Sequence, residues 1–153
     1  MKTNQGKKLK KLSYSSDLEW MRPYISKVKH IVPVHKLDRI NSYKPREKNI
    51  INEHASYNVE RLDGRISRIY ISLNLYSWKL VKIKPFKRIF IPFSKIDLLM
   101  GLAHELAHHT VGFKHTPKHK KLENRLCGIF MTMLENEGYI SEEHELKHNK
   151  PRS

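Results

Sequence analysis

With 153 residues, 39% of them hydrophobic and 29% charged, the chain has apolar material for one core and too little for two, which excludes a multidomain machine. Thirty Lys and Arg against fifteen Asp and Glu leave a formal charge of +15, which attracts polyanions through counterion release but supplies no sequence specificity. The single Cys127 excludes an internal disulfide and any cysteine-based zinc ribbon, and no run of 18 apolar residues offers a membrane span. A metal would have to be held by histidine and carboxylate, and the expected location is the cytoplasm, with nucleoid or DNA association compatible with the charge.

Residues 1–14, with Lys2, Lys7, Lys8, Lys10 and Lys11, read as a disordered basic arm rather than a signal peptide, because no apolar stretch follows the charges. Ser15 or Ser16 suits the cap of a helix from Asp17, with Leu18, Met21, Ile25, Val28 and Val32 on one face and Pro23 near its start. Pro33, Asn41, Pro45 and Asn49 break up residues 33–56, which read mainly as loop with room for a short helix. Tyr57 to Leu62, the turn pair Asp63-Gly64 and Arg65 to Leu73 then form a hairpin. Trp78 to Ile83 and Arg88 to Phe93, separated by Pro85, extend it into a small antiparallel sheet of three or four strands. Between Gly64 and Ile96 stand eight Lys or Arg and no acidic residue. The interleaved Tyr70, Tyr76, Trp78, Phe86 and Phe90 suit either base stacking or an ordinary core beneath solvated lysines.

Ser94 and Asp97 have capping-box spacing ahead of Leu98-Leu99-Met100, predicting a helix to about Thr110. After Gly112 and Thr116-Pro117, the residues Leu122, Leu126, Ile129, Phe130, Met133 and Leu134 recur at helical spacing until Gly138, and they read as core. Residues 141–153 form a charged tail. The expectation is an α+β fold with a single domain over 15–140. Its small antiparallel sheet packs against the helix from Ser94 and the following C-terminal helix, with one helix at the N-terminal side.

The helix from Ser94 carries His104-Glu105-Leu106-Ala107-His108. Positions i and i+4 put both imidazoles on one helix face, where they can share one Zn²⁺, and the intervening carboxylate can serve as a general base. Catalytic zinc needs a third protein donor and an open position. His115, His119 and Glu123 all follow within reach of a returning chain. His115 is the choice, since a loop bounded by Gly112 and Thr116-Pro117 can aim it back at the helix; His119 and Glu123 remain alternatives. His109 points about 100° from His108 and is expected to be exposed or to support the site. His30, His35, His54, His144 and His148 read as surface residues, and Tyr139, Arg125 and His119 are the candidates for stabilising an oxyanion.

The run from His104 to His108, followed by a short loop and His115-Thr116-Pro117-Lys118-His119, resembles the SprT-like (Spartan-type) zinc metallopeptidases and their WLM relatives. The resemblance covers roughly Tyr57 to Leu134 and implies a minimal zincin in which His104, His108 and His115 bind zinc and Glu105 is the catalytic base. Thr116 stands where that family carries a small residue, and His119 where it carries an aromatic one. The family's cysteine-rich zinc module is absent from these 153 residues. Members are implicated in cleaving proteins crosslinked to DNA, which the positive charge accommodates. The metzincin pattern is missed by one position, because Gly112 and His115 each sit one residue late.

The leading expectation is therefore a zinc metallopeptidase acting on a protein substrate, with DNA or another nucleic acid held by the basic surface and no membrane association. The alternative is a basic nucleic-acid-binding protein whose zinc site is structural or vestigial. A metal-dependent hydrolase of a non-peptide substrate stands third.

Overall fold

A computed structural model of the chain describes residues 11–44, 55–81 and 87–138. Most of the basic arm, the charged tail, Tyr139, His54, His144, His148, Phe86 and the turn at Pro85 lie outside those residues.

The inner end of the expected arm is a strand, β1 (Ser13–Tyr14), with Tyr14 buried and Leu12 packed on the core. Burial of that ring corrects the arm's boundary, since removing Tyr14 would open the core. A 3-10 turn over Ser16–Met21 leads into α1 (Arg22–Val28). The sequence predicts one α-helix here; Pro23 explains the division. A proline nitrogen cannot donate to the carbonyl four residues back, and its ring crowds that carbonyl, so the regular ladder restarts around it. Leu18, Met21, Ile25, Val28 and Val32 are all buried, as the apolar spacing predicts. Ser15 does not cap this segment; its hydroxyl accepts from the Ser42 amide at 3.0 Å.

Within the segment read as loop lies β2 (Arg39–Tyr43), which corrects that reading and the expected purely antiparallel sheet. It runs parallel to β1 on one side and to β4 (Arg65–Asn74) on the other, while β3 (Ala55–Leu62) closes the order β1-β2-β4-β3 antiparallel to β4. Only Ile40 of β2 is fully buried, so the strand offers almost no apolar alternation to a sequence reading. The β3–β4 turn forms as predicted: Asp63 at φ 53 and Gly64 at φ 77 both take left-handed conformations, the requirement of a two-residue hairpin turn that matches strand twist. β5 (Tyr76–Val81) and β6 (Lys87–Pro92) pair with each other as a separate two-stranded ribbon instead of extending the sheet. Ile89 and Ile91 stand exposed on that ribbon.

The capping box at Ser94 is complete. Its hydroxyl accepts from the Asp97 amide, the Asp97 carboxylate accepts from the Ser94 amide, and α2 (Lys95–Val111) follows. Leu98, Leu99, Leu102, Ala103, Leu106 and Ala107 are buried where α2 lies between the β3–β4 face and α3 (Pro117–Asn136). Leu126, Phe130 and Leu134 of α3 complete the core. Trp20, Tyr24 and Phe130 meet edge to face at centroid distances of 5.9 and 6.0 Å, which ties α1 to the far half of α3. The Tyr24 hydroxyl donates to Glu137 just beyond that helix at 2.6 Å. The result is an α+β fold. Among the described residues, no helix is long and apolar enough to cross a membrane.

Candidate metal centre

α2 is covered by sheet on one side and α3 on the other, so the turn bearing His104 and His108 is held by packing before any ligand is considered. His108 is 7% exposed and His104 is half-buried at the edge of the helix pair. Gly112 ends the helix at φ 108 and ψ 177, a backbone conformation that glycine alone adopts without strain. The chain then turns back through Phe113 and Lys114 to His115. Thr116 immediately caps α3, its hydroxyl accepting from the His119 amide at 3.2 Å. The residue that departs from the family pattern at this position therefore has a local task, which is to start α3.

These elements bring three imidazole nitrogens together. The Nε2 atoms of His104, His108 and His115 lie 3.2, 3.1 and 3.2 Å apart in pairs. Zinc–nitrogen bonds of about 2.0–2.1 Å at tetrahedral angles place donor atoms about 3.3–3.4 Å apart, so the triangle has nearly the size that one zinc ion requires. The opposite ring nitrogens are committed elsewhere. His104 Nδ1 lies 2.9 Å from a Glu123 carboxylate oxygen, and His108 Nδ1 lies 2.9 Å from the Gly112 carbonyl oxygen. Neither oxygen can donate, so each Nδ1 carries the proton and each Nε2 presents a lone pair to the centre of the triangle. Converging lone pairs repel one another unless they share a cation or a proton, and burial pushes the His108 pKa down, which favours the neutral, ligating form. The donor set fits zinc.

A second grouping, His104, His108 and His119, has ring nitrogens within 4.8 Å of one another, a looser bound than the 3.1–3.2 Å of the Nε2 triangle. Moreover, His119 Nε2 lies 3.0 Å from the His104 carbonyl oxygen and is occupied as its donor. His119 is 2% exposed, and its ring packs on His108 at a centroid distance of 4.1 Å. It acts as a buried strut between α3 and α2. Glu123, weighed above as a ligand, instead accepts from His104.

His109 also departs from expectation. It is half-buried and spans two other elements: Nε2 donates to the Pro33 carbonyl at 2.8 Å, which leaves Nδ1 to accept from the Tyr57 hydroxyl at 2.9 Å. The motif helix is thereby fastened to the chain after α1 and to β3. Glu105 is 4% exposed within the motif turn. A cleft of about 430 Å³ opens beside the triangle, lined by His104, His115, Thr116, His119, Lys120 and Glu123. Glu105 is not among the residues that line this cleft. Among the described strands, β3 is an edge of the four-stranded sheet and contacts α2, whereas β5 and β6 form a separate ribbon.

Sequence reasoning missed the Gly112 carbonyl, the pairing of Glu123 with His104 and the His109 bridge. The first two had a partial signal, a glycine and a carboxylate close to the histidines, but spacing alone cannot separate a ligand from a ligand's partner. Comparison of the chain with protein families, with characterised proteins and with solved structures finds no match.

Proposed function

We propose that the chain is a zinc-dependent metallopeptidase of SprT-like type, with His104, His108 and His115 as metal ligands and Glu105 as general base. The observation that carries this reading is the triangle of Nε2 atoms at 3.1–3.2 Å, two of them with Nδ1 hydrogen-bonded to oxygen acceptors. When bound, zinc would polarise the scissile carbonyl and acidify the attacking water. Glu105 accepts a proton from that water as the new C–O bond forms, then delivers it to the amine nitrogen as the C–N bond breaks. Glu123 and the Gly112 carbonyl hold two imidazoles in the ligating tautomer. As the sheet edge against α2, β3 is the natural strand for an extended peptide to pair with.

Zinc per chain after dialysis against a weak chelator tests the ligand set. About one zinc is expected in the parent and in His119→Ala, with loss in His115→Ala. Hydrolysis of an unfolded protein should then vanish in Glu105→Gln while zinc is retained. A parent that holds no zinc overturns the reading. So does a Glu105→Gln protein with full hydrolytic activity.

The +15 charge favours one competitor, nucleic-acid binding with zinc in a structural role. That reading requires stoichiometric zinc and nucleic-acid affinity in parent and Glu105→Gln alike, with no hydrolysis by either.

A further inference from the structure

The cleft beside the triangle differs in charge from its surroundings on α2. The ten residues from Lys114 to Glu123 hold four lysines, Lys114, Lys118, Lys120 and Lys121, and one carboxylate, Glu123. All four lysines are exposed, and among the described residues none is in an ion pair. Lys120 lines the cleft itself. Thr116, Lys120 and Glu123 share one face of α3 by their spacing of four and three residues, so the ammonium group and the cleft lie on the same side. Glu123, the natural partner for Lys120 one turn away, is already bonded to His104. Glu123 keeps its charge in that bond but makes no ion pair with Lys120, so among the described residues Lys120 lines the cleft as a cation with no carboxylate partner.

We infer that this cleft is a subsite for a carboxylate, the acidic side chain of a peptide bound across the three histidines, and that Lys120 is its specificity-determining residue. The inference rests on the peptidase reading for the peptide nature of the ligand and adds its chemical class. About 430 Å³ is the size of a pocket for one or two residues. An extended nucleic-acid strand instead needs a basic track several nucleotides long. Lys118 and Lys121 do not line the cleft, and two helical positions turn Lys118 about 200° away from Lys120, so the exposed lysines of α3 do not form one track and Lys120 alone supplies the contact.

The test separates the subsite from the hydrolysis. Zinc-loaded Glu105→Gln protein is titrated, by fluorescence anisotropy, with end-blocked peptides that differ only in Glu or Gln at two central positions. A Gln peptide with a free C-terminus and a single-stranded oligonucleotide serve as further probes. The Glu peptide should bind about tenfold more tightly than its Gln counterpart. Lys120→Gln should reduce that advantage to about threefold or less, and Lys120→Arg should keep it. Lys95→Gln is the control for diffuse charge, since Lys95 sits beside Glu137 at the opposite end of α3. It should leave the preference intact.

Equal binding of the two blocked peptides overturns the subsite. Equal losses from Lys95→Gln and Lys120→Gln do so as well, and so does an oligonucleotide whose affinity depends on Lys120 more than the peptide's. Tight binding of the free-terminus peptide that depends on Lys120 supports the subsite, with a terminal carboxylate as its source. If the parent protein cleaves neither peptide while the Lys120-dependent preference persists, the peptidase reading fails and the subsite stands. If both peptides are cleaved equally and Lys120→Gln changes nothing, the subsite fails and the peptidase reading stands.

Discussion

Glu123→Gln and Glu123→Ala probe whether Glu123 supports a ligand or is one. The carboxylate oxygen sits 2.9 Å from His104 Nδ1 and the side chain is 19% exposed, so this charge-assisted hydrogen bond is only partly screened by water. It holds the Nδ1 proton and increases the electron density that Nε2 offers to a metal. Loss of such a partner typically lowers metal affinity by about 10- to 100-fold, which is about 1.4–2.7 kcal/mol. Glutamine retains an acceptor oxygen but not the charge, so Glu123→Gln should fall near the lower figure and Glu123→Ala near the upper. The assay is competition for zinc against a chromophoric chelator at fixed pH, with His115→Ala measured alongside. Direct ligand loss in His115→Ala should cost well over 100-fold, clearly beyond either Glu123 variant. Unchanged zinc affinity in Glu123→Ala would refute the reasoning. A loss equal to that of His115→Ala would make Glu123 a ligand and remove the partner role assigned to it.

Gly112→Ala should cost about 1–3 kcal/mol, because φ 108 is a strained conformation for any residue with a Cβ, and it should weaken zinc binding by disturbing the carbonyl that accepts from His108; denaturant unfolding and the chelator assay read the two effects. Leu106→Ala, at a fully buried position on α2, should lose about 2–5 kcal/mol in the same unfolding measurement, and a loss below 1 kcal/mol would contradict the packing described. Ser94→Ala should cost about 0.5–2 kcal/mol through loss of the α2 cap, with zinc stoichiometry unchanged. Burial raises the Tyr14 pKa to about 12, and burial together with the bond to Glu137 raises that of Tyr24. Because the folded state holds these protons more tightly than the unfolded state, their contribution is complete below about pH 10 and is lost as pH rises through the folded values. Stability should therefore fall above about pH 10, and Tyr24→Phe should flatten that decline as well as remove about 1 kcal/mol at neutral pH.

Local signals determined much of this protein without any structure. The capping box at Ser94, the Asp63-Gly64 turn and the apolar spacing of α3 each rest on interactions within a few residues, which a sequence displays directly. The i, i+4 placement of His104 and His108 follows from helix geometry in the same way. Other features depended on contacts remote in sequence. The β2 strand exists because β1 and β4 satisfy its backbone on both sides, and its own pattern, with Ile40 alone fully buried, carries little trace of that. Pro23 divided a helix that apolar spacing alone would have made continuous. At the candidate metal centre, the sequence favoured His115 as third donor with His119 and Glu123 as alternatives, and spacing alone could not say where each would point. The return of the chain at Gly112 and the docking of α3 on α2 turn His115 Nε2 toward the other two imidazoles, His119 Nε2 onto the His104 carbonyl and Glu123 onto the His104 ring. Spacing sets which residues can reach a point; the packing of helices decides which nitrogen arrives there with its lone pair free.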